Sequence, residues 1–156
     1  MIRMSTYSKI AETQPHPSRV ITIPPEEPKV AKLHFRSKLA FETDPSDVYI
    51  DLQNNSADII VIDARTQEAY SQEHVPRATN LPWRKIDLSS TEALPRDKVL
   101  VTYCDRVHCN ASTKAAMRLT ALGFQVKEML DGMQGWKREG YPVEETVVQL
   151  STNITR

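Results

Sequence analysis

Both cysteines of this chain fall in one stretch, Val99-Leu-Val-Thr-Tyr-Cys104-Asp-Arg-Val-His-Cys109-Asn-Ala-Ser-Thr-Lys-Ala-Ala-Met-Arg-Leu119. An apolar run ends at Tyr103, Cys104 follows at once, and the short loop Asp105, Arg106, Val107, His108, Cys109, Asn110 leads into a helical pattern. A loop that opens a helix offers backbone N–H groups with no intrahelical partner, and the helix dipole adds a positive field there. That field lowers the pKa of a nearby thiol, and the thiolate is the reactive form. Cys104 is the candidate nucleophile, because the strand end fixes it. Asp105, Arg106, Val107, His108, Cys109 and Asn110 are the candidate substrate-binding loop, whose N–H groups would hold an anion. Arg106 and His108 add positive charge, and Asp105 opposes them.

Cys109 gains the same pKa lowering from the helix start. It is a candidate second thiol that resolves an adduct on Cys104 or pairs with it as a redox switch. It is alternatively the better nucleophile of the two, or a bystander; the strand end favours Cys104. Cys104, His108 and Cys109 would give at most three crowded ligands, with no second pair elsewhere in the sequence, so no metal site is expected. No cofactor is implied.

Three further residues could bear on chemistry. The run Ile59-Ile-Val-Ile62 ends in Asp63-Ala-Arg65. Alternation puts Asp63 and Arg65 on one side of the chain at the carboxyl end of a strand, where open parallel sheets hold their ligands. A structural ion pair tying the strand end to a neighbouring loop is the preferred reading of the two. His74 opens His74-Val-Pro-Arg-Ala78, in which Val75 is held extended by Pro76. A general base is one role for it; a satisfied histidine holding its loop is the preferred one. Asp63, Arg65 and His74 are therefore expected to be structural supports.

These residues need a scaffold. Asp44-Pro-Ser-Asp47 is a helix start, with Asp44 as cap, Pro45 at the first helical position and Asp47 complementing the dipole. Val48 and Leu52 mark its buried face, and Asn54-Asn55 ends it. Ile59–Ile62 and Lys98–Tyr103 read as strands buried on both faces, as in a parallel sheet covered by helices. Gln67–Gln72 is a short helical turn, Leu81-Pro82 a short strand end, and residues 86–94 a connector with one helical turn. A helix capped by Asn110 or Ser112 runs to Leu122 with Ala115, Leu119 and Leu122 buried and Met117 widening the stripe, and Gly123 closes it. Phe124–Leu130 is a third strand. Asp131-Gly132 turns the chain into a short helix carrying Met133 and Trp136, and Gly140-Tyr-Pro142 stops it. Strands alternating with helices predict an α/β domain with a mostly parallel central sheet flanked by helices on both faces.

The ends differ from this middle. Five of the ten prolines, Pro15, Pro17, Pro24, Pro25 and Pro28, punctuate a flexible extension over 1–28. There Val20–Ile23 reads as mobile tail rather than edge strand. Residues 29–43 carry a helical extension whose stripe Ala31, Phe35 and Leu39, widened by Val30 and Leu33, is expected to pack on the domain. The domain itself spans 44–145, and 146–156 form a tail in which Val147-Val148 could add a last strand.

At 156 residues and 40% hydrophobic content the chain suits one domain plus tails. Its formal net charge of zero argues against nucleic acid and membrane partners. No apolar run is long enough to span a bilayer, and no secretory signal is seen. Two cysteines make no disulfide framework, so a reducing, cytoplasmic setting is expected.

Three separated segments together resemble a single-domain rhodanese. Ile62-Asp-Ala-Arg65 with Glu68, Tyr70, His74–Ala78 and Asn80-Leu-Pro82 is similar to the family's Asp-x-Arg … Gly-His-Ile-Pro-Gly-Ala … Asn-(Ile/Leu)-Pro segment. Val101–Cys104, the loop and an Ala-Ala-x-x-Leu helix ending in Gly123-Phe124 resemble its active-site strand, cysteine, loop and helix. Leu130–Trp136 resembles its Gly-Gly-x-x-x-Trp segment. The chain departs from the pattern at Glu73, Arg77 and Asp131, where the family has glycine, and in a loop after Cys104 that is glycine-free and about two residues longer.

The resemblance implies a rhodanese-like fold and a sulfurtransferase. Cys104 would take a sulfane sulfur from a small anionic donor such as thiosulfate and pass it, as a persulfide, to cyanide or a thiol. Two other functions compete: a non-catalytic rhodanese module binding a protein partner, and a phosphatase- or arsenate-reductase-like enzyme using the long cysteine loop. The last lacks the arginine at the loop's end that would clamp an oxyanion.

Overall fold

A computed structural model describes residues 17–146, organised around a sheet of five parallel strands. In chain order these are β1 (Glu42–Thr43), β2 (Ile59–Asp63), β3 (Thr79–Asn80), β4 (Val99–Tyr103) and β5 (Gln125–Met129), and they pair in the order β1-β5-β4-β2-β3. The helices are α1 (Pro28–Phe41), α2 (Pro45–Gln53), α3 (Gln67–Gln72), α4 (Ala111–Ala121) and α5 (Gly132–Arg138), with a 3₁₀ turn at Trp83–Lys85.

The two β-branched runs lie side by side, Ile59 opposite Val99 through Asp63 opposite Tyr103. Strand alternation then divides their side chains between two apolar layers. Val61, Val101 and Tyr103 pack with Val48 of α2 and with Met133 and Trp136 of α5. Ile62 and Leu100 pack on the other face with Ala115 and Leu119 of α4 and with Phe124. Burying both faces of β2 and β4 is what favours near-continuous apolar runs, with the buried exceptions Thr102 and Asp63 both hydrogen-bonded. It also places Cys104, the residue after β4, at the carboxyl edge of the sheet's middle.

Local signals hold at the element ends. Asp44 accepts from the Asp47 N–H at 2.9 Å, so the cap of α2 is the expected one. Gly123 takes φ +87° just past α4. Three expectations change. Met117 is 67% exposed, because it sits about 200° around the helix from Ala115. The short strand lies at Thr79–Asn80 rather than Leu81-Pro82. Residues 86–94 are the expected connector, but turns tied by mutual bonds between Asp87 and Ser90 stand where the helical turn was expected.

α1 forms as expected, but its apolar side chains do not pack. Leu33, Phe35 and Leu39 are 62%, 61% and 74% exposed. The helix leads into β1, a two-residue edge strand, so no broad apolar layer faces it; Lys127 Nζ donates to Leu39 O at 2.8 Å and holds its end. Val20–Ile23 is exposed and makes turns, not a strand. The first part of the expected extension over 1–28 and the Val147-Val148 strand lie outside the described residues. Among the described residues no helix is long and apolar enough to cross a membrane.

Candidate active site

Cys104 is 2% exposed and is clamped through its backbone. Its carbonyl accepts from the Met133 N–H at 2.9 Å, and the Asp105 carbonyl accepts from the Gln134 N–H at 2.9 Å. The start of α5 thus sits directly on the turn. Gly132, at φ +48°, makes that approach feasible, since a Cβ there would lie 2.2 Å from the Cys104 oxygen.

The sulfur itself meets both sides of the loop. The Cys104 thiol donates toward Cys109 O at 2.9 Å, with Arg106 O at 3.9 Å, and Ser112 Oγ lies 3.3 Å away. Burial pushes the thiol pKa up, against the lowering effect of Ser112. For Cys109 burial acts the same way, but the Cys104 thiol and the N–H groups of Ala111 and Asp105 outweigh it and hold its pKa below the ordinary thiol value.

The expected ring of loop N–H groups is therefore only partly formed. Within the loop the Cys109 N–H is taken by Arg106 O at 2.9 Å and the carbonyls of Arg106 and Cys109 face the Cys104 sulfur, while the Ser112 N–H bonds it from the start of α4. None of Asp105 to Asn110 has positive φ, whereas a concave nest of N–H groups needs a left-handed residue, which glycine supplies most cheaply.

Cys104, Arg106, Val107, Cys109, Ser112 and Glu128 share a cavity of about 290 Å³. A more open hollow of about 640 Å³ is lined by Arg65, Trp83, Arg84, Lys85, Asp105 and Cys109. Cys109 lines both. His108 and Asn110 are exposed and line neither; Asn110 stands at the N-cap of α4 without a side-chain bond.

Beneath the loop, Asp63 is fully buried and pairs with Arg65 at 2.7 Å. Tyr103 donates to the same carboxylate at 2.5 Å and accepts from the Val75 N–H at 3.1 Å. Arg65 also donates to Glu73 O at 2.6 Å and reaches Asp105 at 3.9 Å, so one guanidinium joins strand end, following loop and candidate site. Burial disfavours the Arg65 charge, but Asp63 outweighs it and raises the pKa. The Tyr103 pKa is driven far up, first by burial and then by Asp63.

His74 is buried against Tyr70, with Nδ1 2.8 Å from Tyr70 O and the two rings stacked, and its Nε2 lies 3.7 Å from Glu144. Its hydrogen-bond and ion-pair partners are thus on α3 and the C-terminal segment rather than in the cysteine loop. Two positions where the sequence has Arg77 and Asp131 in place of glycine keep a left-handed backbone, at φ +64° and +63°.

Ser112, Glu128 and Gly132 were not among the candidate site residues. Ser112 Oγ donates to Glu128 Oε1 at 2.6 Å, and Thr113 Oγ1 donates to the same oxygen at 2.8 Å. The available signal was parity: Glu128 shares a strand face with Val126, which packs with the α4 layer.

A family model described as "Rhodanese-like domain" matches residues 45–139. Over 93 residues the chain is 30% identical to the HTH-type transcriptional regulator Rv0324 of Mycobacterium tuberculosis, covering 60% of this chain but only 41% of the regulator. It is 32% identical to the thiosulfate sulfurtransferase GlpE of Coxiella burnetii over 81 residues, 51% of this chain and 73% of that protein. Among solved structures, the BH2092 protein of Bacillus halodurans is 42% identical, with a TM-score of 0.75 over 77% of this chain and 88% of that one.

Proposed function

The chain belongs to the rhodanese-like domain family, and from that premise we propose that it is a sulfurtransferase whose sulfur carrier is Cys104. The observation that carries this reading is a thiol held at the end of β4, where the first turn of α4 meets it in a cavity large enough for a small sulfur donor. The relatives described as sulfurtransferases support the reaction class.

In the proposed reaction the Cys104 thiolate attacks the outer sulfur of a donor such as thiosulfate. The S–S bond of the donor breaks and sulfite leaves with its electron pair, which makes the cysteine persulfide. Cyanide or a thiol then attacks the outer sulfur, and Cys104 leaves as thiolate. Two half-reactions on one residue give ping-pong kinetics.

The residues present support definite roles. Of the loop Asp105 to Asn110, Arg106, Val107 and Cys109 wall the thiol's cavity; Arg106 brings positive charge to its mouth, and Asp63, Arg65 and His74 hold the surrounding loops. Burial and the Cys109 carbonyl favour the protonated thiol as the resting form, so the donor meets a site that must first lose a proton. We assign the reaction to residues 44–145, with 1–28 and 29–43 as extensions and 146–156 as a tail. A cytoplasmic setting fits two reduced cysteines. The test is turnover of thiosulfate with cyanide, read as thiocyanate. Wild type turns over and Cys104→Ser does not; turnover that survives in Cys104→Ser rejects the assignment.

A further inference from the structure

We propose that Glu128 is the group that accepts the Cys104 proton, with Ser112 as the relay between them; this rests on the reading that Cys104 carries sulfur. The geometry forms a continuous chain. Cys104 Sγ lies 3.3 Å from Ser112 Oγ, and Ser112 Oγ lies 2.6 Å from Glu128 Oε1. Both inner members are buried, Cys104 at 2% and Ser112 at 3% exposure. A hydroxyl has one hydrogen, and an ionised carboxylate only accepts. The single Ser112 hydrogen therefore serves one partner at a time: donated to the sulfur it favours the thiolate, and donated to Glu128 it leaves an oxygen lone pair to face the thiol. Among the described residues Glu128 forms no ion pair, so no cation neutralises it. All three side chains line the cavity in which the donor would react.

The groups around this chain are few, and the cross-strand neighbour of Glu128 on β1 is a second carboxylate, Glu42, which pairs with Lys38 at 2.7 Å. Thr113 of α4 donates to the same Glu128 oxygen. Cys109 and Arg106 of the loop and Asp131 at the start of α5 complete the charged and titratable lining of the cavity. Asp131 is already bound to Arg138 at 2.7 Å. Cys109 meets Cys104 through its carbonyl, which accepts a hydrogen bond but cannot take the proton, and through its thiol, which is the competing acceptor.

The step balances. As the sulfur electron pair attacks the outer sulfur of the donor, the thiol proton moves to Ser112 Oγ and the Ser112 proton moves to Glu128 Oε1. The donor's S–S bond breaks, sulfite leaves, and Glu128 is neutral. Ser112 now points its hydrogen at the modified sulfur. In the second half-reaction the acceptor attacks the outer sulfur, the bond to Cys104 breaks, and the proton returns through Ser112 to the departing thiolate. Glu128 thus acts as base and then as acid, and the persulfide stage carries its proton on the carboxyl.

The competing role is structural: Glu128 would cap the first turn of α4 through Ser112 and Thr113, and its fixed negative charge would only hold the thiol protonated. The two roles predict opposite signs. If Glu128 is only a cap and a charge, Glu128→Gln eases ionisation and sulfur loading from thiosulfate speeds up. If it is the base, Glu128→Gln and Ser112→Ala each slow loading about tenfold or more.

The experiment follows sulfur uptake by intact mass in rapidly quenched samples of the full chain. The relay predicts slower loading in both variants, loss in Glu128→Gln of the wild-type solvent deuterium effect, and recovery of Glu128→Ala in proportion to added formate. Loading of Glu128→Gln at or above the wild-type rate overturns the proposal, as does formate without effect. Cys109→Ser loading as slowly as is expected of Glu128→Gln, while Glu128→Gln itself loads at the wild-type rate, overturns it in favour of the Cys109 thiol. If wild type never loads, the sulfurtransferase reading fails by itself. Alkylation of Cys104 by iodoacetamide, mapped by peptide mass, then carries the same comparison: slower in Glu128→Gln supports the relay, equal or faster overturns it. If the Glu128 variants do not fold, the solvent deuterium effect on loading is compared in Ser112→Ala: its loss supports the relay, and an effect equal to that of wild type overturns it.

Discussion

Gly132→Ala is the substitution that most directly probes how the nucleophile is held. At φ +48° an alanine incurs about 1–2 kcal/mol of backbone strain. Its Cβ would also lie 2.2 Å from the Cys104 oxygen and 2.8 Å from the Cys104 carbonyl carbon. Both are backbone atoms, so no side chain can swing away. An ordinary C···O separation of about 3.3 Å requires a shift of about 1 Å. That shift stretches the Met133 and Gln134 N–H bonds to Cys104 and Asp105, at about 0.5–1.5 kcal/mol each, and overpacking adds about 1–3 kcal/mol. The expected loss is roughly 3–8 kcal/mol, comparable with the whole stability of a domain this size. Gly140→Ala is the internal control, because Gly140 has φ +75° and nothing within 4 Å of its would-be Cβ; it should cost only the strain of about 1–2 kcal/mol. Urea unfolding of both variants measures the difference. If the two cost the same, α5 does not press on the Cys104 carbonyl and the clamp is refuted.

Asp63→Asn removes the charge that Arg65 and Tyr103 share and should destabilise by about 3–5 kcal/mol in urea unfolding, because it leaves Arg65 buried without its partner. Asp131→Gly should be neutral or stabilising by about 1 kcal/mol: it relieves a left-handed backbone and a buried carboxylate oxygen with no partner, and loses an exposed ion pair. A clear destabilisation would show that the Arg138 contact matters more. The two thiols should separate by pH. Burial holds the Cys104 pKa above the ordinary thiol value, and the helix-start N–H groups with the Cys104 thiol hold Cys109 below it despite burial. At neutral pH iodoacetamide should therefore modify Cys109 first, with the Cys104 rate rising only at more alkaline pH; the reverse order on peptide mapping contradicts this.

The layout of the sheet was legible because burial on two faces leaves a plain mark: Ile59–Ile62 is apolar throughout, Val99–Tyr103 is interrupted only by Thr102, whose hydroxyl bonds Ser112 O, and the two pair in register. The ends of α2 and α4 were legible because Asp44, Pro45 and Gly123 act locally. β1 was not, since two residues on a sheet edge carry no periodicity. The exposure of α1 was not, since an apolar stripe records what a helix could bury and not what lies beside it. At the site, Cys104 followed from its place after β4, but the shape of its loop did not. A glycine-free sequence excludes cheap left-handed turns without saying where the carbonyls will point. Glu128 was hidden because its contact with Ser112 spans 16 positions and two elements. Arg77 and Asp131 show the opposite case: the side chains departed from the family pattern while the backbone kept the glycine-like conformation.

Acceptance of a sulfur atom by Cys104 underlies every step above, and intact mass measures it directly. After incubation with thiosulfate the protein should carry a single adduct of about 32 Da, located on Cys104 by peptide mapping, absent in Cys104→Ser and removed by cyanide. A protein that gains no sulfur, or gains it only on Cys109, contradicts the central claim.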